Sequence, residues 1–166
     1  VAALKTLGIN KIIVIDKESE KSRAMEFGAW EFIGSHGKNG VAGVKDKIRA
    51  AAGDMADAVF ICTDSPMGRN VARRFMKNSG SICEMGFLCG WRRTPTARYF
   101  EDSMPAGGRF YAARDYENCM NFLAKAAEMK LPLYKLITHR YKLEEINEAM
   151  WTVVREEGLG IAVFNR

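Results

Sequence analysis

Residues 11–29, KIIVIDKESEKSRAMEFGA, constrain the fold of this chain more than any other segment. Residues 12–16 form a short apolar run that ends on the carboxylate of Asp16, a pattern typical of a buried strand in a parallel sheet. A polar turn and a helix follow, with Ser19 as a candidate N-cap and Gly28 placed to end the helix. An acidic residue at the end of such a strand is positioned to hydrogen-bond the ribose of a dinucleotide.

The same alternation of strand and helix continues along the chain and favours a parallel sheet with helices on both faces. Strands are predicted over residues 12–16, 31–34, 57–63, 81–86, 136–141 and 161–164. Apolar residues at helical spacing predict helices that end near Gly8, Gly28, Gly53 and Asn78, and two more over residues 116–127 and 143–154. Residues 87–108 have no clear period and are predicted to form a long surface loop.

Composition excludes several classes of protein. The 166 residues suffice for one domain with a real core, and no apolar run approaches the length of a membrane span. The net charge of +5 suits an anionic ligand. Four basic positions on a predicted helix are interpreted as a solvated face and not as a nucleic-acid interface; they are Arg69, Arg73, Arg74 and Lys77.

The four cysteines show neither C-x-x-C spacing nor neighbouring histidines; they are Cys62, Cys83, Cys89 and Cys119. This pattern argues against a disulfide scaffold and against a zinc site built within these residues. Reduced thiols in a cytoplasmic protein are the plain expectation. His139 is interpreted as a structural residue, because no other candidate ligand lies near it in the sequence.

Several segments, taken in order, resemble the medium-chain dehydrogenase/reductase family, whose zinc-type members are alcohol, polyol and threonine dehydrogenases. The matching segments are ALKTLGINKIIVID, SEKSRAMEFGA, DAVFICTDS, GSICEMGF, LPLYKLITHRYKLEEINEAM and GIAVF. The resemblance implies a Rossmann-type doubly wound parallel sheet that is incomplete, because the first strand and the glycine-rich loop would lie upstream of Val1. It also implies that any zinc is bound in an amino-terminal part outside these residues.

The resemblance divides the chain into a partial dinucleotide-binding domain, residues 1–135, and the carboxyl-terminal return segment of a catalytic domain, residues 136–166. In the family's strand order, 3-2-1-4-5-6, the first strand is central. Without it the Asp16 strand and the Asp57 strand lose their shared neighbour. We therefore expect that these residues alone do not fold as a stable monomer.

The resemblance and the strand ends together predict cofactor contacts in three groups. The first is Asp16 with Lys17 and Lys21, where a carboxylate that binds the 2′- and 3′-hydroxyls of the adenine ribose favours NAD over NADP. The second follows the next strand and comprises Cys62, Thr63 and Ser65. The third ends the strand after that and comprises Met85, Gly86 and Phe87, whose backbone would contact the nicotinamide. No catalytic residue and no metal ligand is predicted within the chain.

Two positions depart from the family pattern. Asp64 replaces the usual glycine in the turn beneath the cofactor, and Gly160 stands where a basic residue often meets the pyrophosphate. The sequence still favours the cofactor-binding portion of an oxidoreductase that moves hydride between an alcohol or polyol and NAD, acting as a homo-oligomer. The alternatives are a zinc-free NADPH-dependent reductase of the same family and a non-catalytic nucleotide-binding module.

Overall fold

A computed structural model of the chain describes residues 1–35, 40–63, 68, 71–85, 105–106, 113–155 and 160–164. The helices in the described part are α1 (Ala2–Thr6), α2 (Lys21–Glu26), α3 (Gly40–Ala52), α4 (Ala113–Glu128) and α5 (Ile146–Val154). The strands are β1 (Ile13–Asp16), β2 (Glu31–Gly34), β3 (Ala56–Ile61), β4 (Met76–Glu84), β5 (Pro105–Ala106), β6 (His139–Lys142) and β7 (Ile161–Phe164). The α/β class predicted from the sequence is confirmed.

The strands form three parallel sheets, β1–β2, β3–β4–β5 and β6–β7. The pairs β1–β2 and β3–β4–β5 follow the order of a doubly wound fold from which the strand between β1 and β3 is absent. Within the described residues, β1 and β3 share no strand that pairs with both. This is the gap expected for a sheet that lacks its central strand.

A hydrophobic core connects the β1–β2 sheet with the residues that lead into β3 and β4. Helix α3 buries Val44 and Ile48 against Ile33 of β2, and Met55 and Phe75 complete the same cluster. The isoleucines of β1 pack on this cluster from the side. The predicted periodicity of α3 is therefore confirmed, and Gly53 ends the segment with φ +86°.

Three local predictions were wrong at element boundaries. Ser19 caps no helix, because a 3-10 turn over Glu18–Glu20 precedes α2. Strand β4 begins at Met76, well before the predicted start at Ser81. The strand that was predicted over residues 136–141 begins only at His139, after a 3-10 turn over Leu133–Leu136.

The early start of β4 has a packing reason. Its register against β3 jumps from the pair Ala56 and Met76 to the pair Ala58 and Ser81, so β4 carries an irregular insertion there. Gly80 is buried in this stretch, and a Cβ added to it would lie 3.0 Å from the Asp57 carbonyl oxygen. The glycine therefore permits a close backbone approach inside a strand, whereas its position in the sequence suggested a helix end.

Strand β5 lies in the segment predicted as a loop and pairs with Ile82 and Cys83 of β4. Proline can occupy a strand at the edge of a sheet, where its missing N–H is not needed, and Pro105 does so here. Apart from β5, the loop predicted over residues 87–108 lies outside the described residues.

The helices of the carboxyl-terminal third expose apolar side chains. In α5, Ala149 and Thr152 are buried, whereas Met150 is 58% exposed. Large apolar residues exposed on α4 and around α5 are Tyr116, Met120, Leu123, Leu143, Ile146, Trp151, Val153 and Val154. The helices were predicted correctly, but in the described structure their apolar positions do not face a core.

Candidate functional site

The carboxyl end of β1 places Asp16 at the surface. Its carboxylate is exposed, and Oδ1 accepts a hydrogen bond from the backbone N–H of Lys17 at 2.7 Å. The carbonyl of Asp16 accepts from the N–H of Ser35 at 2.8 Å, which extends the pairing with β2 beyond Gly34. The Lys17 N–H therefore orients the carboxylate, and among the described residues Asp16 Oδ2 makes no hydrogen bond and remains available to a ligand.

The two predicted lysines follow this carboxylate in the sequence and differ in their contacts. Lys17 is exposed and adopts an extended backbone with φ −61° and ψ 144°. Lys21 begins α2, and its Nζ lies 3.8 Å from Glu18 Oε1. The side chains of Lys21 and Glu18 are 58% and 71% exposed, so this ion pair adds little to stability.

Glu18 was not predicted as a site residue, yet the structure brings it to the same edge. A Cβ built on Gly34 would lie 2.5 Å from Glu18 Oε2, so the carboxylate rests against the last residue of β2. Gly34 is also the register partner of Asp16. Glu18 therefore contacts the residue that pairs with Asp16, and this contact depends on strand register and leaves no signal in sequence spacing.

The residues after β3 give a second point on the candidate site. Local desolvation raises the pKa of the Cys62 thiol although the residue as a whole is exposed, and the charge of Cys83 adds to the increase. The raised pKa leaves Cys62 protonated at neutral pH, which makes it a poor nucleophile.

The remaining predicted contacts are described only in part. Thr63 is half-buried and engaged in a polar contact, and Ser65 lies outside the described residues. Met85 is 67% exposed, and its N–H donates to the Ile61 carbonyl at 2.9 Å, which continues the β3–β4 pairing. Gly86 and Phe87 also lie outside the described residues.

Gly160 has a steric reason to lack a side chain. A Cβ at this position would collide with the carbonyl oxygen of Leu136. The backbone at Gly160 is also held by a hydrogen bond, because the N–H of Thr138 donates to the Gly160 carbonyl at 2.9 Å. A basic side chain at residue 160 is therefore incompatible with the local packing, and any cation for a pyrophosphate has to come from elsewhere.

The described residues hold no group of three or more His, Cys, Asp and Glu side chains that could bind a metal ion. His139 instead stacks on Tyr141, with ring centroids 6.2 Å apart, and its Nδ1 lies 2.9 Å from Thr138 Oγ1. The residues present do not fit a zinc site. No helix in the described part has the length and apolar character required to cross a membrane.

Comparison with known proteins gives a consistent result. The family described as zinc-binding dehydrogenase matches residues 1–125. Sorbitol dehydrogenase 1 of Saccharomyces cerevisiae is 26% identical over 153 residues, which are 89% of this chain and 42% of the yeast protein. The chain thus spans less than half the length of this relative.

Solved structures share the fold. An alcohol dehydrogenase from Thermotoga maritima matches 99% of this chain and 46% of its own, with a TM-score of 0.85 and 19% identity. The 2R,3R-butanediol dehydrogenase from Bacillus subtilis matches 99% of this chain and 46% of its own, with a TM-score of 0.71 and 22% identity. The resemblance predicted from the sequence is confirmed. Membership of the matching family implies zinc and a nicotinamide cofactor. The chain belongs to the zinc-binding dehydrogenase family.

Proposed function

We propose that the chain is the cofactor-binding portion of an NAD-dependent alcohol or polyol dehydrogenase. The observation that carries the proposal is Asp16, an exposed carboxylate at the carboxyl end of β1 that is oriented by the Lys17 N–H. In a doubly wound fold this position hydrogen-bonds the adenine ribose. A carboxylate repels a 2′-phosphate, which favours NAD over NADP.

The bound nicotinamide would supply the hydride acceptor. The part played by this chain is to hold and orient that cofactor. Asp16 would accept hydrogen bonds from the ribose hydroxyls, with Lys17 and Lys21 beside the adenosine. The backbone after β3 and β4, at Cys62, Thr63 and Met85, would line the path toward the nicotinamide, together with Ser65, Gly86 and Phe87. No step is assigned to zinc, because the described residues offer no ligand set for it.

The substrate and the assembly are also proposals. Relatives named for sorbitol and butanediol favour an alcohol or polyol substrate. We propose that residues 1–135 bind the cofactor and that residues 136–166 complete a second, catalytic domain, which would cover the exposed apolar face of α5. We further propose a homo-oligomeric cytoplasmic enzyme that binds neither nucleic acid nor membrane.

The test is a binding titration of NAD⁺ to the intact native protein and to Asp16→Asn. Loss of a hydrogen-bonded carboxylate is expected to weaken NAD⁺ binding about ten- to hundredfold. The matched control is Asp46→Asn, which removes an exposed carboxylate on α3, away from the strand ends. The proposal fails if Asp16→Asn and Asp46→Asn bind NAD⁺ equally well.

The alternatives predict different titrations. A wild-type protein that binds NADPH more tightly than NADH would favour the zinc-free reductase. Binding of neither cofactor, together with no oxidation of sorbitol or butanediol, would favour the non-catalytic module with a nucleotide-binding fold.

A further inference from the structure

We infer that Glu18 is a second determinant of cofactor choice, which acts beside Asp16 to exclude a 2′-phosphate. The inference rests on the proposed dinucleotide site and adds a residue that the site did not contain. Glu18 is not a strand-end residue. It follows Lys17, whose extended backbone turns the chain into the 3-10 turn that starts at Glu18.

The position of the Glu18 carboxylate is set by Gly34. Because Gly34 has no side chain, Glu18 Oε2 can occupy the space in which a Cβ at residue 34 would lie. Gly34 pairs in register with Asp16 across β1 and β2. A ribose held by Asp16 would therefore have a second negative charge beside it, because the Glu18 carboxylate rests against the end of β2.

The charge of Glu18 also acts on Lys21. The Lys21 ammonium lies 3.8 Å from Glu18 Oε1, so the cation is partly neutralised. In dinucleotide sites that accept NADP, a nearby cation receives the 2′-phosphate. Glu18 would oppose the phosphate by direct repulsion, and its exposed pairing with Lys21 would partly offset the charge of that lysine.

This arrangement answers a problem raised by the sequence. Lys17 and Lys21 follow Asp16 in the sequence, and cations beside a ribose tolerate a phosphate. With Glu18 resting against Gly34, the end of the β1–β2 pair carries two carboxylates, Asp16 and Glu18. The two lysines balance them, and one of these lysines is already paired with Glu18. The local charge therefore favours the uncharged 2′-hydroxyl of NAD.

The test measures the ratio of the dissociation constants of NADP⁺ and NAD⁺ in the intact native protein. Glu18→Gln is expected to lower this ratio about three- to tenfold, because a phosphate of nearly two negative charges loses one repelling neighbour. The effect should shrink at high salt, since the groups are exposed. Glu20→Gln is the matched control: Glu20 lies in the same turn, but its Oε2 accepts from Arg23 at 2.7 Å.

Two further variants test the mechanism. Gly34→Ala keeps every charge but forces the flexible Glu18 carboxylate off β2, so it should also lower the ratio. Lys21→Met in the Glu18→Gln background separates the two contributions. A gain for NADP⁺ that persists in this double variant supports direct repulsion, and a gain that disappears supports release of Lys21.

The outcomes separate this inference from the proposed function. If wild-type protein binds NAD⁺ and Glu18→Gln leaves the ratio unchanged, as Glu20→Gln should, Glu18 is no determinant while the cofactor site stands. If wild-type protein binds neither NAD⁺ nor NADP⁺, both the proposed function and the role of Glu18 are wrong.

Discussion

Helices α3 and α5 are both amphipathic in sequence, yet only α3 buries its large apolar residues. Val44 and Ile48 of α3 lie in a core shared with β2 and with the approach to β4. In α5 the buried positions are the small residues Ala149 and Thr152, and the large apolar side chains remain exposed. The difference shows that periodicity predicts which face can be buried, whereas burial requires a partner element that meets this face.

The largest effect on stability is expected for a substitution in the core that α3 helps to form. Ile48 is 2% exposed at the centre of the core, so Ile48→Ala should lower the free energy of unfolding by about 2 to 5 kcal/mol. The measurement is denaturant unfolding of the intact native protein. Lys47→Ala, on the exposed face of the same helix, should change stability by less than about 0.5 kcal/mol. Equal losses for the two variants would show that α3 does not pack as described.

The next prediction tests α5. If residues 136–166 complete a second domain, as proposed, Met150 is covered in the whole protein although it is 58% exposed here. Met150→Ala should then cost about 1 to 3 kcal/mol in the intact native protein, because a covered methionine loses apolar burial. A cost below about 0.5 kcal/mol would mean that α5 faces solvent, and the proposed domain division would be wrong.

The comparison also explains how far the fold could be predicted from sequence. Strands β1 and β2 and helix α3 were found because their apolar patterns meet partners nearby in the chain, and because Gly28 and Gly53 mark helix ends with positive φ. The start of β4 was missed because Gly80 serves a close approach to Asp57, a contact set by the partner strand and not by local sequence. Local signals succeed where the determining contact is itself local.

The residues of the candidate site also divide into those predictable from local sequence and those placed by contacts between separate segments. Asp16 could be predicted because its role depends on its place at the end of one strand. The contact between Glu18 and Gly34 could not, because it depends on how β1 and β2 are aligned. The collision that forbids a side chain at Gly160 likewise arises between segments that are distant in sequence, since the opposing atom belongs to Leu136.

A smaller effect is expected for the buried polar contact between α5 and β6. Tyr141 Oη and Thr152 Oγ1 lie 2.7 Å apart, and Thr152 is 2% exposed. Thr152→Val should lower the free energy of unfolding of the intact protein by about 0.5 to 1.5 kcal/mol, because the Tyr141 hydroxyl loses its partner. Tyr141→Phe and the double variant complete a double-mutant cycle. Additive losses would show that the two hydroxyls do not interact.

The smallest effect on stability is expected for the ion pair between β3 and β4. Lys77 Nζ lies 2.7 Å from Asp57 Oδ1 and 3.7 Å from Asp54 Oδ2. The hydrogen bond from Lys77, and then its charge, lower the pKa of Asp57 below its ordinary value of 3.8. The pKa of Lys77 is raised in turn, mainly by its hydrogen bond to Asp57.

These shifts determine the sign of the pH dependence. A carboxylate with a lowered pKa in the folded state contributes stability above its unfolded pKa, and loses that contribution as pH falls through the folded value. Lys77→Met should therefore raise the pKa of Asp57 toward its ordinary value, as measured by an NMR titration of the carboxyl carbon, and should flatten the stability profile below about pH 4. Lys47→Met on α3 should leave Asp57 unchanged. Because both partners are exposed, salt should reduce the shift, and a shift that persists at about 1 M salt would contradict an exposed pair.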